Sequence, residues 1–192
     1  GLLLAAEKPE LLDHGADEDY VCSVTNSTAA LARFMIQRPF EKILDVCTGC
    51  GALAFIAARQ GDRVLAADLN PRAVQIAAFN AKLNDIRNVE FATGSTFEPA
   101  AGRRFNFITA NPPCVIGPSS RYSFRDSGEE LDEFCRKIIA EAPGYLEEGG
   151  IFQCTLEWPN INGADWRKRI TELLQNIPCD ALVLHRQLQR AL

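Results

Sequence analysis

Apolar residues along this chain switch repeatedly between short runs that suit buried strands and spacings that suit helices, which predicts an α/β fold with a mostly parallel sheet. Residues 42–46 read as a buried strand, 51–60 as a helix and 63–68 as a second strand. Asn70 then offers an N-cap and Pro71 a first helical residue, and Val74, Ala77, Ala78 and Ala81 repeat at helical spacing up to about Asn84. Residues 89–92 and 105–110 are the third and fourth strands, and 115–128, rich in Gly, Pro, Ser and Arg, form a surface loop. Ser127 and Glu130 are spaced as a capping box for a helix with Leu131, Phe134, Cys135, Ile138, Ile139 and Ala142 on one face, stopped at Pro143 and Gly144. Residues 150–155 make a fifth strand, 165–176 a helix with Trp166, Ile170, Leu173 and Leu174 inward, and 181–185 a sixth strand. Before the first strand, Thr25 and Thr28 cap a helix that carries Leu31, Phe34 and Met35 on one side. Residues 1–23 have no clear period and read as an N-terminal arm to a single domain over 24–192.

A chain of 192 residues fits one domain. Its longest apolar run, 52–58, falls far short of the roughly 20 residues a membrane-spanning helix needs, so no membrane partner is expected. The opening segment has no basic flank and is not a secretory signal. Seven scattered cysteines, an odd number, speak against a disulfide-stapled secreted fold and for a reducing cytoplasm. The net charge of −5 argues against coating nucleic acid by bulk charge, while leaving room for a local basic patch. Two histidines far apart suggest no metal site.

Candidate chemistry falls where strands end. Asp45, Thr48, Gly49 and Gly51 lie on the turn from the first strand into a helix, where small residues let backbone amides approach a ligand at the helix N-terminus. Asp68 closes the second strand, placed to accept both hydroxyls of a ribose laid across the strand ends. The third glycine of a dinucleotide-binding turn is absent, with Ala54 or Phe55 in its place, and Asp45 would repel pyrophosphate; a cationic ligand such as S-adenosylmethionine suits it better. Cys47 and Cys50 form a Cys-x-x-Cys, read as small residues filling a tight turn, since no second pair completes a metal site. At the end of the fourth strand stand Asn111, Pro112, Pro113 and Cys114. Two prolines stiffen the backbone, so the Asn111 side-chain oxygen and the Pro112 carbonyl can accept both hydrogens of a planar amino group and turn its nitrogen toward an electrophile. A Rossmann oxidoreductase using NAD and a non-catalytic cofactor-binding subunit remain as alternatives.

Taken together, the glycine turn, residues 68–74, residues 94–99 and the Asn-Pro-Pro-Cys tetrad resemble the class I S-adenosylmethionine-dependent methyltransferases. More narrowly they are similar to the small-domain branch that includes release-factor glutamine and ribosomal RNA amino methyltransferases. The resemblance covers about residues 24–186. It implies a Rossmann-like sheet of six to seven strands, S-adenosyl-L-methionine as cofactor, and a protein or RNA methyl acceptor. It assigns Asp45, Thr48, Gly49 and Gly51 to the methionine part of the cofactor, Asp68 to its ribose, Leu69, Ser95 and Thr96 to the adenine side, and Asn111 to Cys114 to the methyl acceptor, with Asn111 counted among the cofactor-binding residues as well. Ser95 stands where the family often has Asp, and Cys114 where it usually has a stacking Tyr or Phe. Tyr122 or Phe124 could replace that ring, and Arg121 and Arg125 give the loop after the tetrad a composition suited to a polar or anionic macromolecule. Relatives end their sheet with a seventh, antiparallel strand, for which only 186–192 remain, so the domain reads as cut short.

Overall fold

The structure, a computed structural model, describes residues 1–8, 10–13, 17–113, 133–158 and 165–185. Five parallel strands lie in the order β3-β2-β1-β4-β5, formed by Phe40–Val46 (β1), Gly61–Asp68 (β2), Val89–Thr93 (β3), Phe105–Ala110 (β4) and Leu146–Cys154 (β5). The helices are Glu10–Asp13 (α1), Asn26–Phe34 (α2), Ala52–Ala57 (α3), Pro71–Leu83 (α4), Glu133–Glu141 (α5) and Trp166–Leu174 (α6). The central strands are buried on both faces, as a parallel sheet requires. Ile43, Val64, Ala66 and Phe107 pack against α2, α3 and α4, whereas Leu44, Val46, Leu65 and Ile108 pack with Phe97, Ile138 and Ala142 on the other side. This two-sided burial explains why the strands read as near-continuous apolar runs.

Local signals behave as their chemistry requires. The Asn70 side chain accepts the Arg72 N–H with Pro71 in the first turn, and Asp165 caps α6 through the Arg167 N–H. Thr25 and Thr28 form a reciprocal capping box at α2. Pro143 and Gly144 turn the end of α5 into a 3-10 turn over Ala142–Tyr145.

Three readings need correction. Among the described residues the sixth strand is not seen: residues 181–185 pair with none of the five strands, and Leu182, Val183 and Leu184 are all exposed. The described sheet therefore has five strands, not six or seven. The fifth strand starts earlier than its apolar run, because the register jumps from Phe105 opposite Leu146 to Phe107 opposite Ile151, and Gly149 at φ +70° takes up the extra residues. Phe34, read as inward, is 61% exposed at the last turn of α2, while Leu31 and Met35 are buried. The capping box at Ser127 and Glu130, and Leu131, lie outside the described residues.

The N-terminal arm is packed. Asn80 in the last turn of α4 and Asn84 at its C-cap each pair with both backbone groups of an arm residue: Asn80 with Ala5 at 2.7 and 2.8 Å, Asn84 with Leu3 at 2.8 and 2.7 Å. Glu7 accepts the Val21 N–H and pairs with Arg72. Tyr20 and Val21 are thereby buried, Val21 against Cys50, Ala52 and Ala73.

Candidate functional site

The carboxyl ends of β1, β2 and β4, with residues that follow β3 and β5, line one wide cleft. Thr48, Gly49, Asp68, Leu69, Ser95, Thr96, Asn111, Pro112 and Pro113 all border it, together with residues 20–28 of the arm and the start of α2. Cys114, Arg121, Tyr122, Phe124 and Arg125 lie outside the described residues.

The turn after β1 is built from left-handed backbone at alternate positions, with φ of 59° at Cys47, 55° at Gly49 and 91° at Gly51. At Gly51 glycine is required twice, since a Cβ there would also fall on the Phe55 ring; at Gly49 the space is open, so the need is for conformation and for an uncovered backbone at the cleft. Asn80 ties this turn to the body by donating to the Cys50 carbonyl at 2.9 Å.

Asp68 shapes the floor. Its Oδ2 accepts the Gly49 N–H at 2.8 Å and its Oδ1 the Asn70 N–H at 2.9 Å. Burial raises its pKa above the usual carboxylate range, and the Asn70 and Gly49 amides pull it back. Each oxygen keeps a lone pair, so a carboxylate at this sheet edge fits a ribose diol. Leu69 beside it is 63% exposed, an apolar surface for a flat ring, and Thr96 stands at φ 41° in the turn after β3.

Asp45 is placed differently from its reading as a direct ligand. It is fully buried and does not border the cleft; it accepts the Thr48 hydroxyl at 2.6 Å, and its Oδ1 has no partner. Burial pushes its pKa up to about 7, against the Thr48 hydroxyl and the Ala54 amide, and Asp68 adds to the rise. The carboxyl thus braces the turn through Thr48, which does face the cleft. Burial likewise holds the Cys47 and Cys50 thiols above their usual range, which makes them poor nucleophiles and poor metal ligands. Among the described residues no group of three His, Cys, Asp or Glu side chains could hold a metal ion.

Asn111 is held from two sides. Its Nδ2 donates to Thr28 Oγ1 at 3.0 Å, and its Oδ1 accepts the Thr155 hydroxyl at 2.5 Å. Thr155 follows β5 directly, and its N–H donates to the Ala110 carbonyl at 3.2 Å, which joins the exits of β4 and β5. Sequence reasoning missed Thr155; its one available signal was its place at the end of the strand beside the tetrad. Thr25 and Thr28, read as a helix cap, are a cap and part of the cleft wall as well.

Residues 22–158 match the family described as "Methyltransferase small domain". The chain belongs to that family. Membership in the methyltransferase small domain family carries S-adenosylmethionine as cofactor, and the cleft described above has groups that fit it. Curated relatives include the release factor glutamine methyltransferase of Yersinia pestis, 34% identical over 148 residues, covering 70% of this chain and 51% of that protein. The release factor glutamine methyltransferase of Thermodesulfovibrio yellowstonii is 33% identical over 130 residues, covering 61% of this chain and 47% of its own length. The chain thus spans about half the length of these relatives. Among solved structures, a ribosomal protein L11 methylase from Lactobacillus delbrueckii subsp. bulgaricus superposes with a TM-score of 0.57 at 22% identity, covering 81% of this chain and 69% of that one, which shows the shared fold.

Proposed function

We propose that this methyltransferase small domain transfers a methyl group to the side-chain amide nitrogen of a glutamine in a protein. The observation that carries the reading is the fixed Asn111 amide beside Pro112 and Pro113 at the end of β4, in the cleft that also holds Asp68 and the glycine turn. Relatives named as glutamine methyltransferases support the choice of acceptor over an RNA amine. When bound, S-adenosylmethionine would supply an electrophilic methyl group, its carbon–sulfur bond breaking as the nitrogen–carbon bond forms, with S-adenosylhomocysteine as leaving group and one of the two amide N–H protons lost to solvent. Asp68 holds the ribose, Leu69, Ser95 and Thr96 border the adenine, and Thr48 and Gly49 receive the methionine end, with Asp45 behind Thr48 and the buried Gly51 setting the turn's backbone.

An amide nitrogen is a weak nucleophile because its lone pair is delocalised into the carbonyl. This chain has little acid-base chemistry to offer at the tetrad: Asn111 does not titrate and prolines carry no donor. Its contribution is positioning. The Asn111 oxygen and the Pro112 carbonyl accept the two N–H bonds of the acceptor, which fixes the amide plane and presents its nitrogen to the cofactor side of the cleft. The Rossmann oxidoreductase reading finds no support at the glycine turn, where buried Ala54 and Phe55 stand in place of the third glycine that a dinucleotide-binding turn uses for close helix–strand packing.

Methyl-labelled S-adenosylmethionine incubated with the protein and a fractionated lysate should label protein, and Asn111→Ala should abolish that labelling while leaving S-adenosylhomocysteine binding in place. Label confined to RNA would overturn the proposal.

A further inference from the structure

Resting on that reading, we propose that Thr28 and Thr155 are positioning residues that set which way the Asn111 amide faces, and so whether the site presents an acceptor or a donor to the substrate nitrogen. A carboxamide is almost symmetric in shape. Turned by half a rotation, Asn111 would offer Nδ2 where the reaction needs Oδ1, and an N–H bond would meet another N–H bond. Pro112 cannot prevent this, since it fixes only backbone.

Both threonines act on the side chain. Thr155 donates to Oδ1 at 2.5 Å, occupying one lone pair and leaving the other for the acceptor. Thr28 accepts from Nδ2 at 3.0 Å. Alone, a hydroxyl can serve either end of the amide; the capping box fixes where the Thr28 hydroxyl sits beside Asn111. Its Oγ1 also accepts the Thr25 N–H at 3.4 Å and lies 2.9 Å from Thr25 Oγ1, which in turn accepts the Thr28 N–H at 3.2 Å and lies 2.8 Å from Ser27 Oγ. In the orientation Asn111 adopts here, the Thr28 oxygen accepts from Nδ2 and from the Thr25 amide, which leaves its proton for Thr25 Oγ1, and the chain of hydroxyls leads outward to the exposed Ser27. The cap of α2 and the acceptor end of the cleft therefore share one polarised hydrogen-bond chain, tied through Thr155 to the β5 exit. Thr155 lies at the exit of β5 and Thr28 on the helix that walls the cleft, so Asn111 is clamped between two separate elements.

The test compares Thr28→Val and Thr155→Val with Thr28→Ser and Thr155→Ser, using a glutamine-containing peptide as acceptor. Each valine variant should lose roughly 10- to 100-fold in kcat, the scale of one oriented hydrogen bond in a reacting complex, with the affinity for S-adenosylhomocysteine unchanged. Each serine variant should recover to within about threefold of the parent. Thr155→Val leaves the α2 cap intact, so its loss cannot come from fraying of that helix. The side-chain NH2 resonances of 15N-labelled Asn111 give a readout independent of turnover: a resolved, exchange-protected pair in the parent and serine variants, broadened or unprotected in the valine variants. Valine variants with parental kcat, or amide resonances that do not change, overturn the inference. A parent protein that binds cofactor but methylates no glutamine peptide refutes the proposed substrate instead, and the Asn111 resonances still decide the role of the two threonines.

Discussion

Asp45 couples the cofactor turn to pH, and replacing it with Asn isolates that coupling. The carboxyl is fully buried, one oxygen has no hydrogen-bond partner, and its pKa stands at about 7 against an ordinary 3.8. Because the folded pKa is the higher one, the folded state keeps a proton that the unfolded chain gives up between these values, so stability falls as pH rises from about 4 to about 7 and then levels off. At about 1.36 kcal/mol per pH unit the full cost is about 4 kcal/mol, of which about 3 kcal/mol accrues between pH 4.5 and 8. Asn at this position carries a constant penalty for its own buried amide but no titration. Urea unfolding of parent and Asp45→Asn at intervals from pH 4.5 to 8 should therefore show the stability difference, parent minus variant, falling by about 3 kcal/mol over that range. Curves that stay parallel across those pH values would refute the placement of Asp45 as a buried carboxyl without a counter-charge.

Two further substitutions probe the frame around the cleft. Asn80→Ala leaves the Cys50 carbonyl and both backbone groups of Ala5 without their partner, and should cost roughly 2–4 kcal/mol in denaturant unfolding while exposing residues 1–8 to protease. Gly51→Ala must hold a left-handed backbone and push against the buried Phe55 ring, for a loss of about 2–4 kcal/mol, whereas Gly49→Ala, with open space at its Cβ, should lose only about 1 kcal/mol; equal losses would show that the Phe55 contact does not matter.

Much of the fold was legible because its signals are local. Asn70 with Pro71 and Thr25 with Thr28 each cap a helix with atoms a few residues away, and strands buried on both faces announce themselves as apolar runs. The glycine turn, Asp68 and the first three tetrad residues come to one cleft because a parallel sheet delivers every strand end to the same edge. What the sequence hid depends on distant partners. Residues 181–185 read as an apolar strand but pair with no strand among the described residues, and no local pattern records that. Asp45 looks like a ligand from its position in the turn, yet the side of β1 it occupies points it into the body, where Thr48 meets it. The arm has no period of its own because Asn80 and Asn84 recognise its backbone rather than its side chains. Thr155 is one threonine among several until the β4–β5 pairing brings it to Asn111.

The central claim is that this cleft methylates a glutamine amide, and the most direct measurement is the mass and fragmentation of a defined peptide after incubation with S-adenosylmethionine and the purified protein. A peptide with one exposed glutamine should gain a single methyl group mapped to that side-chain nitrogen, and the same peptide with Glu in place of Gln should gain none. Methylation of the Glu peptide at an equal rate, or no transfer to any glutamine peptide alongside transfer to an RNA amine, would contradict the account.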